Sequence, residues 1–292
     1  MKNKRTPYLM ILPAVLLLVV FMGYPLVNNV YLAFTFKQLL KPMLTGFAGL
    51  ENFRTIFASS DLPRIAMNTV VWVVCSVGLQ FLLGLGLAMA LKKPFRGRAL
   101  YQSIVFLPWA LSSAIVGLTF RWIFNGEFGP VVDLLMKSGL ISERLSFLGT
   151  QGLALGVVIF AMVWIGIPFF GIMLLASLQS IPSDYYEAAD IDGAGRVARF
   201  FRITIPCIKP TIIMTVLLRV IWIFNSAELI YIITRGGPAN SSQTLNSFLY
   251  MTANSTLDFG MTAALGLMFM VALVAFAVMF MRVTRYEEAG DF

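Results

Sequence analysis

Long apolar runs dominate this chain and restrict what it can fold into. Six of them approach or exceed the roughly 20 residues that a helix needs to cross the hydrocarbon core of a bilayer. Only 12% of the 292 residues are charged, which is well below the share in soluble domains. Because backbone polar groups inside a bilayer must bond internally, the runs predict an all-α, polytopic membrane protein with six transmembrane helices. We expect the spans at about 9–35, 67–91, 99–123, 152–177, 210–233 and 259–281.

The lysine and arginine residues predict how these spans are oriented. Thirteen of them lie in segments on one side of the membrane, including Lys2, Lys4, Arg5, Arg282 and Arg285 near the ends of the chain. Seven lie in the longer segments on the other side. Cytoplasmic loops carry the excess of basic residues, so both termini are expected in the cytoplasm. The net charge of +8 is thus explained by membrane topology, and no nucleic-acid partner is expected.

Several kinds of chemistry are excluded by residues that the chain lacks. It contains no histidine, which rules out histidine bases, histidine metal ligands and histidine proton relays. Cys75 and Cys207 are expected at different depths of the membrane, so no disulfide is predicted. No phosphate-binding GxxxxGK[S/T] loop and no HExxH, CxxC or GxSxG motif occurs. We therefore expect no catalytic residue, no metal ligand and no cofactor on this chain.

A polar segment at about 178–208 separates the fourth and fifth apolar runs. It contains Glu187-Ala188-Ala189-Asp190, then Gly193, and after nine further residues Ile203-x-Ile205-Pro206. An acidic helix start is favourable, and the two alanines leave a flat helix face that another surface can approach. Residues 196–201 are expected to form a second short amphipathic helix. Two interpretations remain open from these residues alone: docking onto a soluble partner, or lying on lipid headgroups.

The spacing of this segment resembles the coupling loop of permease subunits of ABC importers. Further resemblances to that family are Leu12-Pro13, Tyr24-Pro25, Gly49 to Phe53, Asn68-Thr69, Arg96-Gly97-Arg98, Phe106-Leu107-Pro108 and Thr234-x-Gly236-Gly237-Pro238. Together they cover nearly the whole chain and are similar to the carbohydrate branch, the permeases of the maltose and glycerol-phosphate type. One position departs from the pattern, because Ile205 stands where leucine is usual.

The resemblance implies a fold, partners and a location. The fold would be the transmembrane domain of a type I ABC importer, with an N-terminal helix and outer loop at 1–65, a permease core at 66–285 and an acidic tail at 286–292. Its partners in a bacterial inner membrane would be a second homologous permease, two ATPase subunits that bind ATP and Mg²⁺, an extracytoplasmic solute-binding protein, a sugar and lipid. ATP would drive alternating access, and this chain would not itself be an enzyme. The residues implied to contact an ATPase are Glu187, Ala188, Ala189, Asp190, Gly193, Ile203 and Pro206.

Polar residues within the predicted spans are candidates for solute recognition, because they are costly in a bilayer. In maltose-type permeases, the helices on either side of the coupling loop line the sugar site. The resemblance therefore implies a solute site formed by Gly166, Phe169, Arg219, Trp222, Ile223 and Ser226. An arginine in this site suits an anionic sugar derivative, such as a sugar acid, a sulfosugar or a phosphate ester. Two alternatives for Arg219 stay open: it could pair with a carboxylate of the partner permease, or extend to the membrane surface.

An ion-coupled secondary transporter is the alternative function for such a chain. It would require carboxylates or histidines inside the membrane, and Glu228 is the only carboxylate within a predicted span. No inverted repeat is visible either. A membrane-embedded enzyme would need a nucleophile with its base, or a metal site, and the sequence shows neither. The prediction is thus a permease subunit of an ATP-driven, binding-protein-dependent importer of a sugar or sugar derivative.

Overall fold

Helices make up most of the computed structural model, which describes residues 6–43 and 45–284. Lys2, Lys4, Arg5, Arg285 and the acidic tail at 286–292 lie outside the described residues. Within the described part, five helices are long and apolar enough to cross a membrane, and a bent pair of helices, counted as one span, is the sixth. The expectation of an all-α membrane protein with six spans is therefore confirmed, apart from one small sheet.

The elements follow one another along the chain with short connections. The helices are α1 (Thr6–Leu18), α2 (Tyr24–Ala33), α3 (Glu51–Ala58), α4 (Leu62–Lys92), α5 (Arg98–Ala110), α6 (Ser113–Ile123), α7 (Pro130–Lys137), α8 (Leu153–Gln179), α9 (Ser183–Ile191), α10 (Arg196–Arg199), α11 (Ile205–Phe224), α12 (Glu228–Ile233), α13 (Leu245–Met251) and α14 (Phe259–Thr284). Strands β1 (Thr35–Lys37) and β2 (Thr45–Phe47) pair antiparallel, with Thr35 opposite Phe47. Wider π-helical turns lie at Val19–Gly23, Phe200–Thr204 and Thr252–Thr256.

The chain divides into two compact units. The first comprises the described residues up to Leu62 together with Phe248–Val274. In it, the Asn52 side chain donates to the carbonyl oxygens of Ala33 and Thr35 at 2.9 and 3.0 Å, which joins α3 to the end of α2. The second unit comprises Pro63–Ser247 and the described residues that follow Val274, and it holds all the predicted contact and solute residues.

The third predicted span, at 99–123, is not one straight helix. It consists of α5 and α6, whose axes are bent by 92°. Pro108 near the end of α5 lacks an N–H group and so disrupts the hydrogen bonding of the last turn. Ser112 then starts a new helix, since its hydroxyl oxygen accepts from the backbone nitrogen of Ile115 at 3.4 Å. The apolar composition continues across this break, which is why the span looks continuous in the sequence.

The fifth predicted span, at 210–233, differs from its prediction at both ends. A single helical run covers Arg196–Phe224, so residues 196–201 belong to this run and do not form a separate surface helix. The run ends where the side-chain amide of Asn225 donates to the carbonyl oxygen of Ile221 at 2.8 Å. Glu228 therefore begins the short helix α12, where it is exposed, and does not lie in the outer half of the span.

Helix α8 forms the centre of the second unit. It is apolar on all sides, and most of its residues are buried, as expected for a helix surrounded by others. Gly84 lets α4 approach it closely, because a Cβ atom on Gly84 would lie 2.4 Å from the Cβ of Phe170. A Cβ atom on Gly78 or Gly86 in the same helix would meet nothing within 4 Å. Among these three glycines, Gly84 is thus the one required by helix packing within this chain.

We expect Gly84→Ala to lower the free energy of unfolding by about 1–3 kcal/mol, because the added methyl group forces α4 away from α8. Gly78→Ala and Gly86→Ala are matched controls in the same helix and should be neutral or slightly stabilising, since alanine favours helices over glycine. Thermal unfolding of the purified variants, followed by tryptophan fluorescence, measures the difference. Equal midpoints for all three variants would contradict the assignment.

Candidate functional site

Helix α9 carries the acidic and alanine-rich part of the polar loop. Ala189 faces the protein and is 8% exposed, whereas Glu187 and Ala188 are exposed. Gly193 follows with a φ of 69°, a left-handed conformation that glycine adopts easily. The backbone nitrogen of Ala194 then donates to the carbonyl oxygen of Ala189 at 2.8 Å and ends the helix. The two alanines therefore have different surroundings, and Ala188 is the one on the outer surface.

The other predicted contact residues lie on either side of the turn that follows α9. Asp190 is exposed and forms an ion pair with Arg199 in α10. Ile203 is half-buried in the π-helical turn before α11, and Pro206 is half-buried in the first turn of α11. The helix-turn-helix arrangement thus presents Glu187, Ala188 and Asp190 outward, and it joins them directly to a long apolar helix.

A cavity of about 240 Å³ lies in the second unit, between the break that separates α5 from α6, helix α8 and the last turns of α11. Four of the six predicted solute residues line it: Arg219, Trp222, Ile223 and Ser226. The other lining residues are Trp109, Leu111, Ser113, Met162, Ile165 and Leu229. Apolar and aromatic walls with a few polar groups are typical of a site for a small solute.

Arg219 is the one charged residue that lines this cavity, and it is 6% exposed. Its Nε donates to Oε1 of Gln80 at 2.6 Å, and Nε2 of Gln80 donates to the carbonyl oxygen of Met162 at 2.8 Å. The guanidinium carbon lies 5.6 Å from the ring centroid of Phe169, within the range of a cation–π contact. Gln80 therefore orients Arg219 against α8 without neutralising its charge.

Gly166 and Phe169 lie behind the cavity wall rather than in it. A Cβ atom on Gly166 would come within 2.1 Å of Cδ of Gln80 and within 2.4 Å of Nη2 of Arg219, so the absence of a side chain makes room for that pair. Phe169 is buried, and its ring centroid lies 5.3 Å from that of Trp222 and 6.0 Å from that of Trp109. Both residues support the lining side chains from the α8 side.

Reasoning from the sequence missed three polar or aromatic residues of the site, Gln80, Trp109 and Ser113, and the apolar lining residues Leu111, Met162, Ile165 and Leu229. A signal existed for Gln80, because a glutamine within an apolar span is costly unless another helix satisfies its amide. Trp109 and Ser113 reach the cavity because of the break between α5 and α6. A straight third span would not have indicated this placement.

Comparison with known proteins places this geometry in a family. The profile described as binding-protein-dependent transport system inner membrane component matches residues 82–286. The chain is 32% identical over 280 residues to the sulfoquinovosyl glycerol transport system permease protein of Agrobacterium fabrum, covering 96% of this chain and 90% of that protein. It is also 32% identical over 289 residues to the trehalose/maltose transport system permease protein of Thermococcus litoralis, covering 98% and 96%.

A solved structure agrees with the fold. The crystal structure of a bacterial ABC transporter involved in the import of the acidic polysaccharide alginate contains a chain that superposes with a TM-score of 0.83. The identity is 26%, and the match covers 97% of this chain and 96% of that chain. The family profile includes the polar loop, α8, α11 and the cavity residues that they carry. This chain belongs to the binding-protein-dependent transport system inner membrane component family, whose members are transporter permeases of the inner membrane and not enzymes.

Proposed function

We propose that this chain is a permease subunit of an ATP-driven ABC importer whose solute is a sugar derivative with a negative charge. The observation that carries the proposal is the buried guanidinium of Arg219 at the cavity, bonded to a neutral glutamine. Among the described residues, no carboxylate oxygen lies within 4.0 Å of it. A buried cation without a counter-charge is costly, so an anionic group on the solute would be stabilised there.

The cavity offers the groups that an acidic sugar requires. Arg219 uses Nε to bind Gln80, and its Nη2 lies 4.0 Å from Sδ of Met162, which is only a weak acceptor. Both terminal nitrogens can therefore bind paired oxygens of a carboxylate, sulfonate or phosphate. The indole rings of Trp109 and Trp222 can pack on the apolar faces of a sugar ring. The hydroxyls of Ser113 and Ser226 can bond to sugar hydroxyl groups.

The names of the relatives support a carbohydrate and include acidic ones. The Agrobacterium fabrum relative is named for sulfoquinovosyl glycerol, and the solved transporter is described as importing an acidic polysaccharide. The Thermococcus litoralis relative is named for trehalose and maltose, which are neutral. Identity is equal for the two named relatives, so the charge of the solute is inferred from Arg219 and not from similarity.

The exposed face of α9 is the proposed contact with a separate ATPase subunit. Ala188 lies on that face, and Ile191 follows it by three residues, hence on the same side, with 87% of its surface exposed. An apolar side chain next to a small one and to the carboxylate of Glu187 suits a groove in a soluble protein. We infer that ATPase movements there drive alternating access, with a second permease completing the pathway, a binding protein delivering the solute and both termini in the cytoplasm.

The alternative of an ion-coupled secondary transporter is not favoured. The family requires a solute-binding protein. Glu228, the carboxylate on which the alternative depended, is exposed at the start of α12 and lies outside the helical run of α11. A carboxylate that relays ions through a span would be expected inside a helix of the membrane, and Glu228 is not.

Purification of the complex through this chain, followed by reconstitution into proteoliposomes, tests the proposal. We expect a P-loop ATPase and a second permease to co-purify, and we expect uptake to require ATP and the binding protein. Acidic sugars and their neutral counterparts, such as glucuronides and glucosides, should be compared for stimulation of ATP hydrolysis. Stimulation by neutral sugars alone would contradict the proposal that the solute is anionic. Uptake that survives without ATP but collapses with an uncoupler would contradict the proposal that the importer is driven by ATP.

A further inference from the structure

Tyr186 joins helix α9 to two other helices of the second unit. Nζ of Lys92, at the end of α4, donates to the hydroxyl oxygen of Tyr186 at 3.1 Å and lies 4.2 Å from the ring centroid. The same hydroxyl lies 3.0 Å from Oγ1 of Thr204, in the π-helical turn that leads into α11. Thr204 is buried, and Tyr186 and Lys92 are half-buried. These contacts are therefore partly sheltered from water. Hydrogen bonds in such a sheltered environment are stronger than those at the surface.

The direction of the hydrogen bonds follows from the groups involved. An ammonium group cannot accept, so Lys92 is the donor and the oxygen of Tyr186 accepts. The hydroxyl proton of Tyr186 can then point to Oγ1 of Thr204. A hydroxyl that accepts from a cation becomes a better donor, so each bond strengthens the other. Removal of this one oxygen atom disconnects α9 from Thr204 and takes away the hydrogen bond to Lys92.

The two helices that Tyr186 contacts are those that hold the polar pair at the cavity. Gln80 lies on α4 and Arg219 on α11, and the two side chains bond to each other at 2.6 Å. A second link between α9 and the following helix, the ion pair of Asp190 with Arg199, is more exposed, with 61% of the Asp190 side chain accessible. Exposed ion pairs contribute little to stability, so the hydrogen bonds of Tyr186 are the stronger side-chain connection between α9 and the following helix.

We propose that Tyr186 is a positioning residue that transmits displacement of α9 to α4 and α11, and through them to the Gln80–Arg219 pair. This inference rests on the proposed function, because it assumes that α9 receives the movement of an ATPase. The chain itself offers a way to separate this role from simple structural support. A residue that only holds the fold together affects the thermal stability and the amount of complex. A residue that transmits movement affects how much solute enters for each ATP hydrolysed.

Two substitutions remove the link at either end. Tyr186→Phe deletes the hydroxyl and keeps the ring under Lys92, and Thr204→Val removes the acceptor with little change of shape. Tyr101→Phe is the control, because the hydroxyl of Tyr101 has no hydrogen-bond partner among the described residues and Tyr101 is exposed on α5, outside the proposed ATPase contact. All variants are measured as full complexes in proteoliposomes with the binding protein. The readouts are ATP hydrolysed per solute imported and the thermal midpoint of the complex.

We expect Tyr186→Phe and Thr204→Val each to raise the ratio of ATP hydrolysed to solute imported by about fivefold to tenfold. This is the factor by which the loss of one hydrogen bond changes an equilibrium constant. The double variant should be no worse than Tyr186→Phe alone, because that substitution already removes the contact with Thr204. Tyr101→Phe should stay within twofold of the wild type. An unchanged ratio in assembled complexes, with or without a lower thermal midpoint, would overturn the inference. A wild-type complex without ATP-driven uptake would overturn the proposed function itself, and the inference with it.

Discussion

Arg219→Gln is expected to abolish the uptake of an acidic sugar while the complex still assembles in the membrane. Glutamine keeps a polar side chain that can bond to Gln80, but it removes the positive charge at the cavity. Loss of one partner from a buried, hydrogen-bonded charge pair costs about 2–5 kcal/mol, which is roughly 30-fold to several thousand-fold in affinity. Uptake of an acidic sugar and of its neutral counterpart into proteoliposomes, at solute concentrations below saturation, measures this effect.

Gln80→Glu tests the same charge without removing the arginine. A carboxylate at this position would lie within hydrogen-bond distance of Nε of Arg219 and neutralise it in place. We expect acidic sugars to be lost in this variant as well. Unchanged uptake of acidic sugars in both variants would contradict the proposed solute. Loss of the complex in Arg219→Gln, with normal selectivity in whatever assembles, would show instead that Arg219 pairs with a carboxylate of the partner permease.

Ala188→Asp is expected to uncouple transport from ATP hydrolysis. Ala188 lies on the exposed face of α9 beside Glu187 and near Asp190, so the substitution adds a further negative charge to an acidic surface. If an ATPase groove covers this face, the new carboxylate must lose its water without gaining a partner. We expect uptake to fall at least about tenfold, since one uncompensated charge in an interface costs more than 1.4 kcal/mol.

Ala188→Ser is the control for this substitution, because serine is small and uncharged and should retain most of the uptake. Insertion and assembly should be normal for both variants, since the Ala188 side chain does not face the protein interior. The same change at Ala189 is not informative, because that side chain is buried and aspartate there would disturb the fold. Normal uptake by Ala188→Asp would contradict the assignment of α9 as the contact with an ATPase.

The sequence predicted the spans and the polar loop because both depend on local properties. Apolar length determines where a helix can cross a bilayer, and the acidic start and following glycine of α9 give that helix its ends. The break between α5 and α6 was missed, because it depends on Pro108 and on the cap at Ser112 and not on apolar content. The short helix α12 was merged with the fifth span for the same reason.

The lining of the cavity was predicted in part, because helical periodicity shows which residues share a face but not what that face meets. Arg219, Trp222 and Ile223 lie on α11, Ser226 follows its end, and all four line the cavity. Gly166 makes room for Gln80, which lies 86 positions earlier in the chain, and no local pattern reveals such a contact. The partner of Arg219 could not be predicted, since it depends on the packing of α4 against α8 and α11.

The helical run from Arg196 to Phe224 has a geometric consequence for transport. Thr204 and Arg219 are fifteen residues apart on it, which corresponds to about 22 Å along the axis at 1.5 Å per residue. If the run tilts as one element around Thr204, its shorter part lies in the polar loop and its longer part reaches the cavity. A tilt of about 10° around Thr204 would carry Arg219 sideways by about 4 Å, more than the length of a hydrogen bond. Under the proposed function, a small rotation near the polar loop would be enough to form or break the contacts between Arg219 and a solute in the cavity.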